Sequence, residues 1–100
     1  MTTVYASIGN SDDKLTQQQW SDYQRAFVAA IRMHVEVIHG EWYSAPTAPF
    51  QNACVCFEID PGEETSLWAV LANLAGEYGQ DSIAWATASP GFITAGRGDT

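Results

Sequence analysis

Ala53-Cys54-Val55-Cys56-Phe57-Glu58-Ile59-Asp60-Pro61-Gly62-Glu63 is an alternating run that breaks directly into a helix start. Val55, Phe57 and Ile59 fall on one face and Cys54, Cys56 and Glu58 on the other, the period-two pattern of a strand buried on one side. Asp60 can then cap a helix, Pro61 suits its first position and Glu63 can complete a capping box. Leu67, Val70, Leu71, Leu74 and Tyr78 carry an apolar stripe toward a stop at Gly79. Ile83 to Ala88 reads as a last strand before Pro90. The second half of the chain is thus strand, helix, strand.

The first half repeats the order. Val4, Ala6 and Ile8 alternate with Thr3, Tyr5 and Ser7, which predicts a strand. After a polar turn, Thr16 and Gln19 can form a capping box and Leu15 can staple against Trp20. Trp20, Tyr23, Phe27, Ala30, Ile31, His34, Val35 and Ile38 recur at helical spacing, and Gly40 is the expected stop. Glu41 to Ser44 gives a short strand. Ala45-Pro46-Thr47-Ala48-Pro49 then interrupts regular hydrogen bonding and makes a long hairpin tip.

Strand-helix-strand-strand-helix-strand is the split βαβ, or ferredoxin-like, order. It predicts an α+β fold in which two helices cover one face of an antiparallel four-stranded sheet. The expected organisation is a single domain over 1–90. A C-terminal tail over 91–100 follows, with a short edge strand through Phe92 and Ile93 before it frays.

A length of 100 residues, with 46% hydrophobic and 16% charged, fits one globular core and excludes a disordered chain. Twelve acidic against four basic residues give a formal charge of −8. A field of that sign repels phosphate backbones, so direct nucleic-acid binding is not expected. It attracts basic protein surfaces, including those that hold nucleic acid, and the same charge also serves solubility alone. No apolar run reaches membrane-spanning length and no export signal opens the chain, so a cytoplasmic location without membrane contact is expected.

Right-handed crossovers bring three polar clusters to one end of the sheet: Asn10-Ser11-Asp12-Asp13, Gln51-Asn52 and Gln80-Asp81-Ser82. Asn10, Ser11, Asp12, Asp13, Gln51, Asn52, Gln80, Asp81 and Ser82 form a rim able to grip a small molecule or a partner loop. The same residue types also fix loops by bonding nearby backbone. The rim offers neither a histidine nor a phosphate-binding glycine loop, so no catalytic residue, cofactor or metal is expected there. His39, placed at the far end of a long helix, lies away from Cys54, which disfavours a Cys-His pair.

The sheet face away from the helices collects Tyr5, Cys54, Cys56, either Trp42 or Tyr43 (of which Tyr43 is the expected interface residue), and Trp85. That face is less polar than a solvated one, which marks an interface for a homodimer or a partner protein.

Ile8-Gly9-Asn10-Ser11-Asp12-Asp13-Lys14-Leu15, Gln51-Asn52-Ala53-Cys54 and Gln80-Asp81-Ser82-Ile83-Ala84-Trp85 resemble stretches in uncharacterised small proteins of actinobacteria and their phages. The resemblance covers most of the chain. It implies a phage or prophage accessory protein that binds or inhibits a host protein, and it carries no activity or cofactor.

Overall fold

The computed structural model describes residues 1–10, 14–89 and 91–96. The order is β1 (Thr2–Gly9), α1 (Gln17–His34), β2 (Val37–Tyr43), β3 (Asn52–Ile59), α2 (Pro61–Glu77) and β4 (Ala84–Ala88). The four strands lie in the order β2-β3-β1-β4, every neighbouring pair antiparallel. This is the ferredoxin-like arrangement expected from the element order.

Alternation in the two central strands builds the core. Val4, Ala6 and Ile8 of β1 stand opposite Phe57, Val55 and Ala53 of β3, and all six are buried. Tyr23, Phe27 and Ile31 of α1 and Leu67 and Leu71 of α2 join the same cluster. Each such side chain contributes roughly 1.5–3 kcal/mol when fully buried. Val70, expected on this stripe, is instead exposed.

The helix ends are chemically specified. Thr16 Oγ1 accepts from the Gln19 N–H while Gln19 Oε1 accepts from the Thr16 N–H, completing the capping box. Asp60 caps α2 by accepting from the Gly62 N–H at 3.0 Å. Glu63 leaves that box and turns to His34 Nδ1, 3.4 Å away, so it ties the end of α1 to the start of α2. Gly79 ends α2 at a φ of +66°, with Gln80 N–H bonded to Ala75 O and Gly79 N–H to Gly76 O. That pair of bonds is a Schellman motif, which needs the left-handed residue glycine supplies.

Two expected boundaries are corrected. α1 stops at His34, not at Gly40, because Val35 takes an extended conformation. The run Val35-Glu36-Val37-Ile38 is rich in β-branched side chains, which lose rotamer freedom in a helix and pack well on a sheet. β2 therefore starts at Val37 and runs through Gly40. Phe92 and Ile93 form no edge strand and stand fully exposed. Pro90, just before them, has no N–H to offer a ladder.

β2 carries an irregularity between Ile38 and Gly40, where His39 is the extra residue. Before it, Ile38 stands opposite Phe57; after it, Glu41 and Tyr43 stand opposite Val55 and Ala53. All three partners point to the helices, so the bulge reverses the parity of the strand.

Candidate functional site

The polar rim is a clasp. Asn10 is buried, and each arm of its amide is used: Nδ2 donates to Leu15 O at 3.1 Å and to Gln51 Oε1 at 3.1 Å, and Oδ1 accepts from Leu15 N–H at 3.0 Å. Asn10 N–H also donates to Gln51 O at 2.8 Å. Gln51 closes the set by exchanging amide bonds with Gln17 at 2.8 and 3.1 Å. Asn52 donates its backbone N–H to Ser44 Oγ at 2.9 Å and its side chain to Phe50 O at 3.3 Å, so it shapes the hairpin tip.

The clusters behave differently from one another. Asn10 and Gln51 meet directly, as the topology predicts. Ser11, Asp12 and Asp13 lie outside the described residues. Gln80, Asp81 and Ser82 precede β4 at the same end of the sheet, where Ser7 pairs with Ala84. They do not enter the clasp: Gln80 Nε2 donates to Tyr78 O at 3.2 Å, and the three residues instead edge a cleft between α2 and β4.

The second candidate is the open face of the sheet. Thr3, Tyr5 and Ser7 of β1 lie opposite Glu58, Cys56 and Cys54 of β3, and opposite Ala88, Ala86 and Ala84 of β4. On the outer side of β3, Gly40 pairs with Cys56 and Trp42 with Cys54. Tyr5 is 46% and Trp42 56% exposed, large apolar surfaces left to solvent. Both cysteines are free and half-buried.

Register corrects two of the five interface residues. Tyr43 follows the bulge onto the helix side, where its hydroxyl donates to Glu41 Oε2 at 3.1 Å; Glu41 in turn pairs with Arg32 at 2.8 Å. Burial, then that bond to Glu41, pushes the Tyr43 phenol above its ordinary pKa. Trp85 stands opposite Ala6 and so also faces the helices, edge-on to Phe57 at 5.8 Å and to Trp68 at 5.7 Å. Tyr5, Cys54 and Cys56 remain on the open face, and Trp42 takes the place expected of Tyr43. Trp68, 57% exposed on α2, was outside the sequence expectations because its position falls off the apolar stripe.

At one end of the open face Thr3 Oγ1 donates to Glu58 Oε1 at 2.6 Å, and His39 Nε2 lies 3.3 Å from the same oxygen. These two bonds, Thr3 first, hold the Glu58 carboxyl below its ordinary pKa. The side-chain hydrogen bond with Cys56 is the main cause that raises the Tyr5 phenol. His39 is therefore a strand residue beside β3, not the end of a helix remote from the thiols. Its bond goes to Glu58 and not to a cysteine. Among the described residues no group of three His, Cys, Asp or Glu side chains is placed to hold a metal, and no helix is long and apolar enough to cross a membrane.

No protein-family model and no curated protein matches the chain. Among solved structures it is similar to a formyltetrahydrofolate deformylase from Pseudomonas putida KT2440, at 12% identity and a TM-score of 0.49. The similarity covers 89% of this chain, which spans 28% of the length of that enzyme.

Proposed function

We propose that this chain is a non-enzymatic protein-interaction domain that docks through the open face of its sheet onto a basic partner protein. The observation that carries the reading is the uncovered face itself, with Tyr5 and Trp42 exposed above the thiols of β3 and the alanines of β4. A sheet face that met only water would present polar side chains at these positions. The charge of −8 names the partner's sign. Two copies of so acidic a domain repel each other at low salt, whereas a basic surface is drawn in. A protein that normally holds nucleic acid has such a surface, and occupying it would inhibit that protein. The resemblance to small actinobacterial and phage proteins supports a phage or prophage accessory role.

The polar rim supports recognition less well, because the described amides of Asn10 and Gln51 are consumed by one another and by Leu15 and Gln17. Capture from the native host's lysate, run in parallel with the wild type and Trp42→Ser at low and high salt, tests the proposal. The expected result is one basic partner, held by the wild type at low salt, released at high salt and lost with Trp42→Ser. Equal capture by the variant, or a doubled mass by light scattering at micromolar concentration with no basic partner, overturns it.

A further inference from the structure

The cleft between α2 and the start of β4 has features that neither the core nor the sheet face requires. Its volume is about 310 Å³, near the lower end of the roughly 300–1,000 Å³ range of small-molecule sites. Trp68 and Trp85 line it with their ring planes 77° apart, and Leu71 and Ile83 extend the apolar lining. Gln80, Asp81 and Ser82 supply the polar edge, and Asp81 is the sole ionisable side chain among the lining residues.

Gly76 also lines the cleft, within the last turns of α2. Glycine inside a helix costs roughly 0.5–1 kcal/mol relative to alanine, so its presence calls for a reason. Packing supplies none: a Cβ built at Gly76 would meet nothing within 4 Å, and its φ is not in the left-handed region. The effect of the missing side chain is to leave the space beside the Trp68–Trp85 pair open.

The geometry points to a binding site for a small organic cation with an apolar body, of the arylalkylamine type, held by the Trp68 and Trp85 rings with its ammonium toward Asp81. Indole faces attract cations through their quadrupole, and a single carboxylate at the mouth adds attraction of the same sign. An anionic ligand meets Asp81 and the net charge of −8, and a neutral one gains only the apolar contact. This site lies on the helix side of the sheet, so it stands or falls apart from docking through the open face.

The test uses 4-phenylbutylamine, 4-phenylbutanol and 4-phenylbutyrate, which share one apolar body and differ in charge. Binding is followed by NMR shifts of the Trp68 and Trp85 indole N–H signals. The amine is expected to bind about five-fold more tightly than the alcohol, with the acid weakest. Asp81→Asn should narrow the amine's advantage by about two-fold. Gly76→Leu should fill the cleft and abolish binding without lowering the melting temperature, since it removes a helix glycine. Equal binding of the three probes, tighter binding of the acid, no binding at millimolar concentration, or undiminished binding to folded Gly76→Leu each overturns the assignment. So does Nα-acetyl-lysine amide binding as tightly as the arylalkylamine, which would give the cleft to a lysine of a protein partner.

Discussion

Replacing Asn10 with alanine tests whether the rim is a clasp. The substitution removes two bonds donated by Nδ2 and one accepted by Oδ1, and leaves the Leu15 N–H without its side-chain acceptor. At about 1 kcal/mol net for each bond, the loss is about 3 kcal/mol. A change of that size is a large share of the ~5–15 kcal/mol that holds a small domain together. Each kcal/mol lowers the melting temperature of a domain this size by about 4–8 °C, so the shift is large and easily read. Guanidinium unfolding followed by tryptophan fluorescence measures it, with the slope of the transition unchanged. Gln51→Ala should cost less, because Gln51 bonds Gln17 near the surface as well. The double variant should be less destabilised than the sum of the singles, since both remove the same Asn10–Gln51 bond. A loss below 1 kcal/mol for Asn10→Ala at unchanged slope, or strict additivity with Gln51→Ala, would refute the clasp and return the rim to the role of a recognition surface.

Other substitutions read other parts of the structure. Tyr23 is fully buried with no hydrogen-bond partner for its hydroxyl among the described residues, so Tyr23→Phe should stabilise the fold by about 1 kcal/mol, measured by the same unfolding assay. Burial raises the Tyr23 phenol from 10.0 to about 12, so the unfolded chain ionises first. Stability should hold below pH 10.0, fall as the pH rises toward 12, and fall less in Tyr23→Phe. Thr3→Val removes the 2.6 Å bond that does most to hold the Glu58 carboxyl down, so the carboxyl midpoint seen by NMR should move up toward the ordinary glutamate range. Because that pKa is depressed in the folded state, the small stabilisation from Glu58 is present at neutral pH and lost as the pH falls through the acid range. Trp42→Ser should leave the melting temperature within about 2 °C of the wild type, because the side chain is exposed, while lowering affinity for the docked partner.

The element order was legible because the two central strands alternate without interruption and three helix ends carry their own chemistry. Thr16 with Gln19, Asp60 with Pro61, and Gly79 each specify a boundary locally, and each stands where the spacing predicts. The end of α1 was not legible, because Val35 and Ile38 continue the three-and-four spacing of the helix by coincidence. Val35 turns extended as the cap of α1, and only pairing with β3 decides that Ile38 is extended too, which is a tertiary fact. The Asn10–Gln51 contact followed from topology alone. The distribution of aromatic residues between the two faces did not, because a strand's parity can be read from sequence only if no residue is inserted. Trp68 was missed for a related reason: α2 keeps an indole outside its buried stripe, and only the approach of Trp85 gives it a neighbour.

The bulge at His39 also bears on how this chain can change over generations. In β1 or β3, loss of a single codon would turn half of an alternating strand inside out and ruin the core. In β2 the extra residue already divides the strand into two halves of opposite parity. Deleting His39 would join them in one regular ladder with every partner unchanged, leaving Trp42 on the open face and Tyr43 on the helix side. Loss of one residue at this position, on an edge strand remote from β1, is therefore absorbed at the expense of the His39–Glu58 contact alone, so the bulge marks a place where the chain can shorten and keep its docking surface.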